Sequence, residues 1–166
     1  MQNHSDFARK LLMRSAIAGT LRPALVADCF AGEGVIAGAL WAGIADNVLC
    51  IERNPDCAPT LHALAARHPG VEVVIADNAA LTARIVAAEI IDADAYGMSL
   101  PFIERLMQSG LRPGTLVFFT DGTPMKQRRM RNATRVFSET ARRLFSKHYV
   151  EAAQCGTAYY GYGWTC

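Results

Sequence analysis

Residues 25–34 read Leu25-Val26-Ala27-Asp28-Cys29-Phe30-Ala31-Gly32-Glu33-Gly34. An apolar run from Leu25 to Phe30 meets a turn at Gly32 to Gly34, and an Ala- and Leu-rich helical period follows from Val35 to Trp41. A buried strand that turns through glycine into a helix is the opening half of a βαβ unit. Two glycines one residue apart let the backbone turn tightly and come close to a ligand. The helix then presents its N-terminus to the same space.

The same alternation continues outward from this unit. Strands are expected at Val48 to Glu52, Val71 to Ala76, Ile90 to Asp94 and Leu116 to Thr120. Helices are expected at Pro55 to Arg67, with proline near the first turn, and at Ala79 to Ala88, Leu100 to Gly110 and Thr134 to Ser146. Strands at Tyr149 to Cys155 and Ala158 to Thr165 are separated by Gly156, and so short a connection forces an antiparallel pair. The pattern predicts an α/β sheet of seven strands, six parallel and the last reversed, with helices on both faces. The chain of 166 residues reads as one domain over 1–166. Residues 1–22 form an N-terminal helix extension, capped at Ser5, with Phe7, Leu11 and Leu12 facing the body.

Composition narrows the function classes. Apolar residues make up 51% of the chain, enough for a large core. The net charge of +2 does not by itself call for a polyanionic partner. The five cysteines are odd in number and form no CxxC pair, which fits reduced thiols in a cytoplasmic protein. No apolar stretch is long enough to cross a membrane, and no signal-peptide core is present. The four histidines are scattered, and no metal cluster is expected.

Ligands of open α/β sheets bind beyond the carboxyl ends of the strands. Asp28 to Gly34 follows the first strand there. Glu52, eighteen residues after Gly34, ends the second and could accept both hydroxyls of a ribose. Asp77 and Asn78 follow the third, where a carboxylate or amide could accept from an adenine amine. Gly32-x-Gly34-x-x-Ala37 also satisfies a loose dinucleotide fingerprint. Asp28 argues against that reading, because a carboxylate is unfavourable beside a pyrophosphate. It is favourable beside the ammonium and sulfonium of S-adenosylmethionine. The bland alternative makes the glycines ordinary turns and the acids helix caps.

Together, D-x-F-x-G-x-G, the acids after strands two and three and the reversed last strand resemble class I S-adenosylmethionine-dependent methyltransferases. The resemblance covers the chain from about Ala24 onward. It implies a three-layer Rossmann-like methyltransferase sheet and S-adenosyl-L-methionine as cofactor. The residues implied to bind it are Asp28, Phe30, Ala31, Gly32, Gly34, Glu52, Asp77 and Asn78. The loop from Asp28 to Gly34 would cradle the methionine moiety, Glu52 the ribose and Asp77 the adenine.

Asp94-Ala95-Tyr96-Gly97 after the fourth strand is similar to the D-P-Y/F-G loop of tRNA guanine-N2 methyltransferases, with alanine in place of proline. The similarity implies an exocyclic amine as methyl acceptor, with Asp94 orienting it and Tyr96 stacking on the base. Without a Pro-Cys after this strand, a cysteine-based attack on cytosine C5 is not expected. Lys126, Arg128, Arg129, Arg131 and Arg135 place five positive charges in ten residues after the fifth strand, on the active-site edge. Such a cluster suits phosphates and points to a nucleic acid, RNA before DNA. A solvated loop would carry the same charges. With little room for a recognition domain, a homodimer or a recognition partner would have to help, or specificity is low. A small-molecule methyltransferase and a silent binding module are the competing readings.

Overall fold

The computed structural model describes residues 7–95, 100–121, 149–155 and 158–164, with Tyr162 the side chain described in the last two segments. A helix, α1 (Phe7–Ala18), precedes strand β1 (Leu25–Asp28). Next comes α2 (residues 35–44), whose middle, Ala37–Trp41, is a π turn and whose end, Ala42–Ile44, is α-helical. Strand β2 (Asn47–Glu52), a 3-10 turn (Pro55–Cys57) running into α3 (Ala58–Arg67), and β3 (Val71–Ile75) follow. A second 3-10 turn (Asn78–Leu81) leads into the short α4 (Thr82–Ile85). The remaining elements are β4 (Ile90–Ala93), α5 (Leu100–Gln108), β5 (Leu116–Asp121), β6 (Tyr149–Cys155) and β7 (Ala158–Trp164).

Five parallel strands in the order β3-β2-β1-β4-β5 form a Rossmann-like α/β sheet. Beyond β5, β7 pairs antiparallel with it, from Leu116↔Trp164 to Asp121↔Tyr159, and β6 pairs antiparallel with β7. The parallel strands are apolar on both sides because both sides are covered. Ala27, Leu49, Ile51, Ile91, Val117 and Phe119 pack on α4 and α5 through Ile85, Phe102, Ile103 and Leu106. Their neighbours Val26, Val48, Cys50, Ile90 and Phe118 face the other way, onto Ala18, Trp41, Leu61 and Leu64 of α1 to α3. The order of strands in β3-β2-β1-β4 reverses at β1, so the switch point opens between β1 and β4, above Asp28 and Asp92.

Several expectations shift. Leu12 does not face the body; it is 70% exposed. The inward face of α1 is Leu11, Arg14 and Ala18, spaced three and four apart, which turns Leu12 outward. The helix expected over 79–88 is a 3-10 turn followed by four α-helical residues, because Asp77 caps the chain with a bond from Ala79 N–H to Oδ1 (2.8 Å). The first strand ends at Asp28, although Cys29 still donates to the Asp92 carbonyl at 2.8 Å. Ser5 and the helix expected at Thr134 to Ser146 lie outside the described residues.

Candidate active site at the carboxyl end of the sheet

The glycine turn is anchored on β2. Gly32 and Gly34 both have positive φ (54° and 74°), a conformation that any other L-residue adopts at a cost. Ala31 N–H donates to the Ile51 carbonyl at 3.1 Å, and Gly32 N–H donates to Glu52 Oε2 at 2.9 Å. Glu52 Oε1 accepts from Asn54 N–H at 2.8 Å. Glu52 therefore fixes the turn that it borders, with further lone pairs on each oxygen. A side chain at Gly34 would meet Leu61 and Leu64 of α3 at 2.9 and 3.0 Å. At Gly32 an added Cβ would meet nothing within 4 Å, so the turn faces open space.

Asp77 is exposed, and its cap bond occupies one carboxylate oxygen. Asn78 donates through Nδ2 to the Cys29 carbonyl, which ties the end of β3 to the end of β1. Its Oδ1 is buried without a hydrogen-bond partner, an acceptor that a bound ligand could satisfy. Phe30 packs edge-on against Phe102 with ring centroids 5.3 Å apart.

The residues that sequence reasoning missed lie across β4. Arg14 is completely buried and grips Asp92, also completely buried, with Nε to Oδ2 and Nη2 to Oδ1, both at 2.6 Å. Its remaining nitrogen, Nη1, donates to the Lys10 carbonyl at 3.1 Å, and its guanidinium lies 5.5 Å from the centre of the Phe118 ring. Trp41, delivered by the π turn of α2, donates Nε1–H to Asp92 Oδ2 at 3.0 Å. Burial works against the Arg14 charge, but Asp92, with Asp94 and Asp28 beyond it, outweighs burial and raises the guanidinium pKa.

Asp94 comes two residues later. Its Oδ1 accepts from Lys10 Nζ at 2.7 Å and from Thr120 Oγ at 2.5 Å. Arg14 Nη2 stands 3.7 Å from Oδ2, beyond hydrogen-bond range, so one oxygen is pinned and the other can still accept. Asp28, paired in register with Asp92, is 3% exposed. Burial first, and then repulsion from Asp92 and Asp94, push its carboxyl well above the usual carboxylate range, against the pull of Arg14 and the Phe30 N–H. Burial likewise pushes the Cys29 and Cys50 thiols up, which keeps them protonated and unreactive. No group of three or more His, Cys, Asp or Glu residues among the described residues could hold a metal ion. Tyr96 and the basic residues Lys126, Arg128, Arg129, Arg131 and Arg135 lie outside the described residues.

The chemistry of these groups fits S-adenosyl-L-methionine. Acceptors dominate the edge: Asp28, Glu52, Asp77 and the orphaned Asn78 Oδ1 offer oxygens to ammonium, hydroxyl and amine groups. The glycine turn leaves its backbone open to a close-lying ligand.

No protein-family model and no curated relative matches this chain. Solved structures do. Trm1 from Pyrococcus horikoshii, in complex with S-adenosyl-L-methionine, superposes with a TM-score of 0.73 at 14% identity, over 99% of this chain and 56% of that one. The C-terminal domain of precorrin-6Y C5,15-methyltransferase from Rhodobacter capsulatus matches with a TM-score of 0.66 at 16% identity, over 95% and 88%. The Methanococcus jannaschii fibrillarin pre-rRNA processing protein matches with a TM-score of 0.66 at 16% identity, over 87% and 67%. The chain thus has the Rossmann-like fold of class I S-adenosylmethionine-dependent methyltransferases.

Proposed function

We propose that this protein is an S-adenosylmethionine-dependent methyltransferase acting on an exocyclic amine of a nucleic-acid base, RNA in preference to DNA. The observation that carries the reading is the acidic switch point. A glycine turn locked onto Glu52 lies beside buried Asp28, and beyond the end of the neighbouring strand β4 Asp94 keeps one oxygen free of hydrogen bonds among the described residues. The reading entails a seven-stranded sheet with a reversed last strand, and the antiparallel pairing of β7 with β5 supports it.

In this reading Asp28, Phe30, Ala31, Gly32, Gly34, Glu52, Asp77 and Asn78 hold the cofactor, which supplies an electrophilic methyl group when bound. Asp94 Oδ2 accepts a hydrogen bond from an N–H of the acceptor amine and takes up that proton as the nitrogen is methylated. That bond draws the nitrogen lone pair out of conjugation with the ring and aims it for an in-line displacement. Lys10 and Thr120 keep Oδ1 from turning away. Tyr96 stacks on the base, and Lys126, Arg128, Arg129, Arg131 and Arg135 bind flanking phosphates. A homodimer or a recognition partner extends the contact surface. No described helix is long and apolar enough to cross a membrane, and the buried thiols suit a reducing, cytoplasmic setting.

The test is methyl transfer from tritiated cofactor to total RNA, DNA and a metabolite extract, with Asp94→Ala as control. Label in RNA that disappears in the variant while cofactor binding persists supports the reading. Label confined to the metabolite extract, or full activity of the variant, overturns it.

A further inference from the structure

Three carboxylates converge on one face of the sheet at the ends of β1 and β4: Asp28, Asp92 and Asp94. Among the described residues two side-chain cations meet them. Arg14 commits Nε and Nη2 to Asp92 and Nη1 to the Lys10 carbonyl, and Lys10 commits its ammonium to Asp94. None of these donors reaches Asp28 with a hydrogen bond; its partner is the Phe30 backbone N–H. Among the described residues the other groups around it add no positive charge. Asp92 and Asp94 come from β4 and its end, Cys50 from β2, the neighbouring Cys29 from its own chain segment, and the uncharged Trp41 from α2. Among the described residues the set is one cation short, and a buried carboxylate without a countercharge takes up a proton instead.

Resting on the cofactor reading above, we propose that the cationic cofactor is the missing member of this charge set, and that its uptake drives a proton off Asp28. The protonated carboxyl releases its proton to solvent, and the resulting carboxylate faces the incoming ammonium or sulfonium. The orphaned acceptor of Asn78, whose amide is anchored on the Cys29 carbonyl beside Asp28, independently marks this edge as waiting for a donor. The upward displacement of the Asp28 pKa by burial and by Asp92 agrees with the charge count. The sign follows from linkage: binding tightens as pH rises toward the unliganded Asp28 pKa, by up to about tenfold per pH unit, and levels off above it.

Calorimetric titration with S-adenosylmethionine and with S-adenosylhomocysteine, in two buffers of different ionisation enthalpy, reads the proton count directly. In the wild-type protein about one proton leaves per ligand bound at pH values where Asp28 is protonated. Release with both compounds assigns the ammonium as the partner, and release with the sulfonium compound alone assigns the sulfonium; either supports the proposal. Asp28→Asn, which matches the protonated side chain in shape and charge, binds more weakly, without proton release and without the pH slope. Tight binding with no proton release, or release that persists in Asp28→Asn, overturns the proton coupling and leaves the cofactor reading intact. Absence of binding by either compound overturns both.

Discussion

Replacing Arg14 by methionine tests the central packing claim. The substitution keeps an unbranched apolar stem against Phe118 and removes the guanidinium. Asp92 then loses two charge-assisted bonds of 2.6 Å and keeps one, from Trp41 Nε1–H at 3.0 Å, while remaining inaccessible to water. Leaving one member of a buried pair uncompensated costs about 3–5 kcal/mol. At about 2–4 °C per kcal/mol for a domain of this size, the midpoint of thermal unfolding falls by roughly 6–20 °C. A second change, Asp92→Leu on the Arg14→Met background, removes the stranded charge and recovers most of the loss, since buried pairs replaced by apolar groups are often neutral to stability. Urea unfolding of the two single variants and the double variant closes the thermodynamic cycle. A loss below about 1 kcal/mol in Arg14→Met would refute the buried pair, because only solvent-exposed pairs are worth that little.

Three further outcomes follow from the site. Asp28→Asn stabilises the ligand-free protein at neutral pH: its folded carboxyl titrates above the unfolded one, so the native state holds the extra proton and wild-type stability falls as pH rises between the two values. Urea unfolding against pH shows that slope in the wild type and its absence in the variant. Gly32→Ala costs about 1–2 kcal/mol for its positive φ but meets no neighbour, so the protein folds while cofactor affinity falls sharply in calorimetry. Lys10→Met unpins Asp94 Oδ1 and lowers kcat by about ten- to a hundredfold with cofactor affinity unchanged, and Lys10→Arg recovers part of it in the transfer assay.

The alternation of apolar strands and helical periods made the parallel sheet legible, because burial on both faces writes near-continuous apolar runs such as Val48 to Ile51 into the chain. The turn at Gly32 and Gly34 and the strand end at Glu52 were legible for the same local reason: backbone turns and strand ends constrain residue type at the position itself. Arg14 was not. Its partner lies 78 residues away, and on an amphipathic segment that also carries Arg9 and Lys10 an arginine reads as solvated while Leu12 reads as buried. The available signal was on the other side of the pair. Asp28 and Asp92 stand in otherwise apolar strands, and buried acids require a countercharge. Arg14 and Lys10, one helical turn apart, were the cations able to supply it together. The helix over 79–88 was misread because the local bond from Ala79 N–H to Asp77 opens a 3-10 turn that the run of alanines does not announce.

An apolar replacement of the Arg14–Asp92 pair would serve stability as well as the pair does, so stability alone does not account for it. Its geometry does. Four residues of helix rise about 6 Å, and two residues of strand span about 6.6 Å. The turn of α1 from Arg14 back to Lys10 therefore matches the step of chain from Asp92 on to Asp94, and the two ion pairs form side by side. A hydrophobic contact tolerates sliding along such a groove, whereas two directional pairs at matched spacing fix one register. That register places Asp94 Oδ1 against Thr120 and leaves Oδ2 beyond hydrogen-bond range of Arg14. It also commits Lys10 and Arg14 to β4, so that among the described residues no side-chain cation is hydrogen-bonded to Asp28. On the proposed reading, the same arrangement that aims the acceptor-side acid, Asp94, reserves the cofactor-side acid, Asp28, for a charge that arrives with the ligand.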